Sequence, residues 1–188
     1  RCLAEFQKIG CASNIFPSQY SQFNGIFKEI DRGTMSAADF YESVRSQSNM
    51  PRVTNQQIHD AWVSLIEPIP AERFEALKRL KTQYNLYILS NSNEIHWEFI
   101  KTHCMSYQGE QTTDWFRHIF LSHIMHLEKP EPEIFRAVID GAHINADETL
   151  FIDDSQLNLD GAKELGIHTL LSTNGDWVRK LSTLCSTD

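Results

Sequence analysis

The chain has 188 residues, 41% of them hydrophobic and 22% charged, which excludes disordered and fibrous classes and permits one domain, or a domain with a modest insert, built on its own core. A net charge of −8 at pH 7 sets most of the surface against nucleic acid and anionic membranes, and no apolar run has the length to cross a bilayer. The four cysteines, Cys2, Cys11, Cys104 and Cys185, are scattered and form no CxxC pair, so four reduced thiols and no structural zinc are expected. With no signal-peptide pattern at its start, the protein is expected in the cytoplasm.

The first third reads as helix throughout. Leu3, Phe6 and Ile9 fall at helical spacing before Gly10, and Tyr20, Phe23, Phe27 and Ile30 form a second stripe that stops at Asp31-Arg32-Gly33. Ser36 stands three residues before Asp39, as in a capping box, ahead of Phe40 and Val44, and Thr54 precedes a stripe of Ile58, Trp62 and Leu65. Pro17, Pro51 and Pro68 punctuate this region, and nothing in it reads as a strand. Beyond Pro68-Ile69-Pro70 the pattern changes. Phe74, Leu77 and Leu80 mark a helix, Tyr84–Leu89 a short buried strand, and a helix follows from Glu94. Three more strands are expected at His118–Leu121, Thr149–Ile152 and Ile167–Leu171. Helices over Pro132–Ile139, Leu157–Leu165 and Trp177–Leu184 alternate with them. Strands alternating with helices, and no hairpin turns, predict a doubly wound parallel α/β sheet.

In such a sheet ligands collect beyond the carboxyl ends of the strands. The first strand runs into Ser90-Asn91-Ser92-Asn93, whose hydroxyls and N–H groups suit either a phosphate or the cap of the next helix. Another ends at Asp153-Asp154-Ser155. Two adjacent carboxylates repel one another, a penalty that a hard divalent cation removes; a solvated helix start would also favour acidic residues. Lys129, in Glu128-Lys129-Pro130-Glu131-Pro132, is set in a stiff turn where its ammonium can meet a phosphate or carboxylate, although a lone lysine there also suits plain surface. The eight histidines show no ligand spacing, and His96, His118, His123 and His126 are expected at surface or turn positions. Trp62 and Trp97 should pack on helix faces, Lys78-Arg79 and Lys81 should form a solvated helix face, and Cys104 should be a buried thiol.

Taken together, Ser90-Asn91, Lys129-Pro130 and Asp153-Asp154, each after its own strand, resemble the second, third and fourth motifs of the haloacid dehalogenase (HAD) superfamily. The stretches from Glu128 to Phe135 and from Asp153 to Ala162, running on to Gly166-Ile167, are similar to that family's third and fourth motifs with their helices. Residues 1–68 resemble its small α-helical cap, and Phe27 to Phe40 resembles the cap of the subgroup with glucose-1-phosphate phosphatase and the epoxide hydrolase N-terminal phosphatase. The resemblance implies a Rossmann-like, HAD-type core over residues 69–188 with the cap inserted. Its first motif, an Asp-x-Asp-like element carrying the nucleophile, has no counterpart from Arg1 onward, so roughly 10 to 25 further residues, one strand and a loop, are expected before Arg1. That strand would lie between those ending at Ser90 and Asp153.

The implied activity is Mg²⁺-dependent hydrolysis of a small phosphate monoester, a sugar phosphate in particular, through an aspartyl-phosphate. Ser90 and Asn91 would donate to phosphate oxygens, Lys129 would balance its charge, and Asp154 would hold Mg²⁺, with Asp153 acting as a second ligand or through water. The cap would close over a small phosphorylated metabolite and exclude water. No nucleic-acid or membrane partner is expected, and the protein should be a monomer or weak homo-oligomer. A metal-free dehalogenase has no use for the acidic pair. A phosphomutase, or a non-catalytic phosphate-binding relative lacking the nucleophile, remains as an alternative.

Overall fold

The computed structural model describes residues 2–11, 25–50 and 52–184. Tyr20, Phe23, Pro17, Pro51 and Cys185 lie outside the described residues. The first third contains the expected helices α1 (Cys2–Lys8), α2 (Ile26–Asp31), α3 (Ala37–Gln47) and α4 (Asn55–Val63). Their starts follow from side-chain chemistry. Ser36 caps α3 by accepting from the Asp39 N–H, and Thr54 and Gln57 form a reciprocal capping box at α4. Helix α5 (Ala71–Leu80) follows, then strand β1 (Tyr87–Ser90) and helix α6 (Glu94–His103), which the fully buried Asn93 caps through the His96 N–H. Strand β1 begins three residues later than expected. The amides of Gln83 and Tyr84 bond back to the Leu80 carbonyl at 3.0 and 2.9 Å, which keeps those residues in the turn after α5.

One expectation is overturned. Strands β2 (Ser106–Tyr107) and β3 (Glu110–Gln111) form an antiparallel hairpin, whereas no hairpin was expected. Its two-residue turn is Gln108-Gly109, with φ of 51° and 82°, the pair of positive values that the twist of a short hairpin demands. Only Gly109 signals this in the sequence, because glutamine rarely takes that conformation. The remaining elements are β4 (His118–Leu121), α7 (Ser122–Met125), α8 (Pro132–Ala142), β5 (Leu150–Asp153), α9 (Gln156–Lys163), β6 (His168–Leu171) and α10 (Trp177–Leu184). None of the described helices is long and apolar enough to cross a membrane.

Two compact units divide the chain. The first comprises Arg1–Ile69, Asn91–Thr113 and Leu121–His126, and the second Pro70–Ser90, Asp114–Phe120 and Leu127–Asp188. The first unit packs around an aromatic cluster in which Phe6, Phe27 and Phe40 lie with ring centroids 6.1, 5.0 and 5.6 Å from that of Trp62. These phenylalanines are at most 1% exposed, and each contributes about 2–3 kcal/mol by leaving water. Cys2 and Cys11 are buried free thiols, and burial raises the Cys2 pKa to about 11, which keeps it protonated and inert. Cys104 is half-buried rather than buried, because it follows the last turn of α6 as its C-cap.

In the second unit β5 and β6 pair in parallel, from Leu150 opposite His168 to Asp153 opposite Leu171. Strand β1 is hydrogen-bonded to β4. The two pairs share no ladder among the described residues, so the strands ending at Ser90 and Asp153 are not hydrogen-bonded neighbours. Every residue of β1 is consequently half-buried rather than buried. Phe135 on α8 meets Phe151 of β5 edge to face at 5.6 Å, which seats α8 on that strand, and Phe74 on α5 meets Trp115 of the turn before β4 at 6.3 Å.

Replacing Phe40 by Ala should remove the centre of the first unit's cluster. The expected loss is about 3–5 kcal/mol of unfolding free energy, measured by urea denaturation.

Candidate active site

The chemistry of the second unit gathers at the carboxyl ends of β1 and β5. Lys129 reaches there from the turn before α8, with only 9% of its side chain exposed, and its Nζ donates to the Leu89 carbonyl at 3.0 Å and to Asp153 Oδ2 at 2.7 Å. The ammonium thus links two strands that share no backbone hydrogen bond. The face of the Phe151 ring lies 5.4 Å from Nζ and adds a weak cation–π attraction. Helix α9 holds the turn from the other side. A Cβ on Gly161 would stand 2.5 Å from the Pro130 carbonyl oxygen and 3.1 Å from Phe135, so only glycine allows that approach.

Asp153 is the most constrained carboxylate of the unit. Its Oδ2 takes the lysine, while Oδ1 accepts from the Ser155 N–H and from Asn158 Nδ2, both at 2.9 Å. Burial alone would raise its carboxyl. The Lys129 charge and hydrogen bond, with the donors from Ser155 and Asn158, outweigh that and hold it below the usual carboxylate range. Asp154 differs in every respect: it is exposed and makes no hydrogen bond to a described residue. The doubled aspartate therefore divides into one structural carboxylate and one open to solvent. Ser90 ends β1, half-buried, next to the carbonyl that Lys129 grips; Asn91 is exposed and opens a segment of the first unit.

Lys129 and Asp153 are therefore in direct contact, and the chain at Leu89-Ser90 is tied to them. Asn158 and Gly161 lie in the stretch that resembles the family's fourth motif, but neither was expected to have a role of its own. Asn158 is readable afterwards as the amide on the first turn of α9, five residues after the aspartate it serves.

The first unit holds a second polar network. Asn93 Nδ2 donates to Asp31 Oδ1 at 2.8 Å, and Ser122 Oγ accepts the Ser92 N–H at 2.9 Å while lying 2.6 Å from the Asp31 carbonyl. His123 donates from Nδ1 to the Ser92 carbonyl at 2.8 Å. His96 is buried, not at the surface as the sequence suggested. It stacks on Trp62 at 4.4 Å, its Nε2 donates to the Trp62 carbonyl at 3.2 Å, and burial lowers its pKa to about 4. The cause is helical phase: as the residue whose amide Asn93 caps, its side chain turns inward with Ile95.

Among the described residues no group of three or more His, Cys, Asp or Glu side chains gathers to hold a metal. Mg²⁺ does not require one, since it keeps several waters and takes one or two carboxylates plus a substrate phosphate. Asp154, an exposed carboxylate next in sequence to the one that Lys129 holds, has oxygens open to such a cation.

A buried lysine thus joins the carboxyl ends of two strands of an α/β unit, and an exposed aspartate follows the one that it holds. Residues 17–172 match the haloacid dehalogenase-like hydrolase family, and the chain belongs to it. It is 29% identical over 186 residues to D-ribitol-5-phosphate phosphatase of Bacteroides thetaiotaomicron, covering 98% of this chain and 89% of that protein. It also superposes on a HAD family enzyme of the same bacterium, an Asp-to-Ala mutant in complex with magnesium and inorganic phosphate. That comparison has a TM-score of 0.90 and 38% identity, over 96% of this chain and 90% of the other. Glyceraldehyde 3-phosphate phosphatase of Pyrococcus abyssi is 25% identical over 114 residues, 60% of this chain and 45% of that protein.

Lys129→Met should leave Asp153 buried without its cation. Because the folded-state carboxyl is depressed, the pair stabilises the protein above the ordinary carboxylate range, and that contribution is lost as pH falls through the folded value. The variant should be about 3 kcal/mol less stable at pH 7, with the gap narrowing at acid pH, as read from denaturation across pH.

Proposed function

We propose that the protein is a Mg²⁺-dependent phosphatase of small phosphate monoesters, sugar or sugar-alcohol phosphates in particular, working through the aspartyl-phosphate that its family resemblance implies. The observation that carries this reading is the buried Lys129 ammonium, fixed at once to the Leu89 carbonyl and to Asp153. The relatives named for ribitol 5-phosphate and glyceraldehyde 3-phosphate support the substrate class, and the related structure with magnesium and phosphate supports the metal.

Charge supports the metal independently. Lys129, Asp153 and Asp154 together carry −1, which repels a phosphate dianion, and one divalent cation turns that balance to +1. Asp154 is the proposed direct ligand because its oxygens are open. Asp153, with both oxygens engaged, is proposed to hold Lys129 in place and to meet the metal only through water. When bound, Mg²⁺ supplies Lewis-acid neutralisation of a phosphate oxygen. The chain's own residues do the rest. Lys129 balances charge that develops on the transferred group, held in place so that it costs no reorganisation during reaction. Ser90 Oγ and the Asn91 N–H are proposed to orient phosphate oxygens at the end of β1.

In the full-length protein Asp154→Asn should lower Mg²⁺-dependent turnover of p-nitrophenyl phosphate by at least about 100-fold, with an unchanged circular dichroism spectrum. Ser90→Ala should cost about 100-fold in kcat. Turnover by Asp154→Asn near that of the wild type would remove the residue from the metal site.

A further inference from the structure

A second lysine of the second unit is bound to the end of a strand. Lys180, on α10, donates from Nζ to the carbonyl of Leu171, the last residue of β6, at 2.7 Å, and lies 3.0 Å from Asp176 Oδ2. The plan repeats that of Lys129, an ammonium shared between a strand-end carbonyl and a carboxylate. Here the carbonyl contact is the shorter of the two. The sequence pattern assigns Lys180 only a place in the closing helix.

What distinguishes Lys180 is the peptide group that it grips. The Leu171 C=O and the Ser172 N–H belong to one planar unit, in which oxygen and hydrogen point in opposite directions. The oxygen takes Lys180, and the hydrogen is donated to the Asp153 carbonyl at 2.9 Å. That carbonyl in turn shares its peptide group with the Asp154 N–H. An unbroken line therefore runs from the ammonium through two peptide groups to the backbone of Asp154, the proposed metal ligand. A cation on the first oxygen draws electron density from that peptide and makes its N–H a stronger donor; the second peptide is polarised in the same sense. The turn beyond β6 is held by other groups. Ser172, 5% exposed, accepts the Trp177 N–H on Oγ at 3.1 Å, and Arg73 of α5 donates from Nη2 to the Asn174 carbonyl at 3.2 Å. A Cβ on Gly175 would stand 1.9 Å from that same Nη2. The turn is thus tied at two points that do not involve Lys180, whose contact falls on the peptide that reaches Asp153.

We infer that Lys180 is a positioning residue for Asp154: through the Leu171–Ser172 peptide it strengthens the hydrogen bond that fixes the Asp153–Asp154 peptide, and with it the direction in which Asp154 leaves β5. The inference rests on the reading of Asp154 as the metal ligand. All of the residues concerned belong to the second unit. The Lys180 side chain is 34% exposed, against 9% for Lys129, so solvent screens part of its charge. Its contribution therefore falls at the lower end for a group that supports a metal ligand indirectly, about tenfold in metal affinity.

Spectra of the ¹⁵N-labelled full-length protein test it without any substrate. In the metal-free protein, Lys180→Met should move the amide protons of both Ser172 and Asp154 upfield and speed hydrogen exchange at Ser172. Lys180→Arg should restore both, and Arg73→Ala, which loosens the same turn elsewhere, should leave the Asp154 amide in place. Ser172 and Asp154 amides unmoved by Lys180→Met, or moved as far by Arg73→Ala, overturn the inference. Titration with Mg²⁺ alone, followed at the Asp154 amide, should give a dissociation constant raised about tenfold in Lys180→Met and within about twofold of the wild type in Lys180→Arg. A constant unchanged within about twofold in Lys180→Met also overturns it. If Lys180→Met does not fold, Lys180→Gln, a neutral donor, carries the same comparisons. A wild-type Asp154 amide that ignores Mg²⁺ removes Asp154 from the metal site and takes the inference with it. A protein that shows the Lys180 effects but hydrolyses no phosphate ester refutes the phosphatase reading instead and upholds the role of Lys180.

Discussion

The second unit depends on one buried ion pair. Lys129 and Asp153, each with less than a tenth of its side chain exposed, meet at 2.7 Å, and the same ammonium takes the Leu89 carbonyl. Removing two charges from water is costly, and the pair is tolerable only because every polar atom in it is satisfied: Ser155 and Asn158 saturate the second carboxylate oxygen. The pair does more than lower its own cost. It joins β1 to β5 where no backbone ladder does, and it fixes a cation at the place proposed for the phosphate. It also leaves Asp154 as the carboxylate that remains open.

The first unit uses its buried polar groups differently. There Asn93, Ser122, His96 and the Ser92 backbone hold helix ends and turns together around the aromatic cluster. Ser92 Oγ and Trp62 Nε1 are buried without a partner among the described residues.

Much of the architecture was legible because local chemistry and periodicity agreed. Ser36, Thr54 and Asn93 each mark a helix start in one dimension, and each caps in three. The short apolar runs ending at Leu121 and near Asp153 are strands within a residue of their expected bounds. The misreadings have identifiable causes. A Gln-Gly turn carries a weaker signal than Asn-Gly, so the β2–β3 hairpin passed unseen. The place of His96 depends on Trp62, more than thirty residues away, which no window of sequence brings beside it. The half-burial of β1 depends on which strands pair with it, again a non-local matter.

From residue order alone come the alternation of strands and helices, the caps, and the presence of a hydroxyl, an ammonium and two carboxylates at strand ends, because each of these is set by neighbours within a few positions. By residue type Asp153 and Asp154 are alike, two carboxylates on neighbouring residues, and only the family resemblance set Asp154 apart as the expected direct ligand. Folding made them different: the alternation of a strand turned one toward Lys129 and Asn158 and the other toward solvent. The difference between adjacent aspartates arises from partners distant in the chain, Lys129 above all, and only a packed tertiary structure brings that partner within hydrogen-bonding distance.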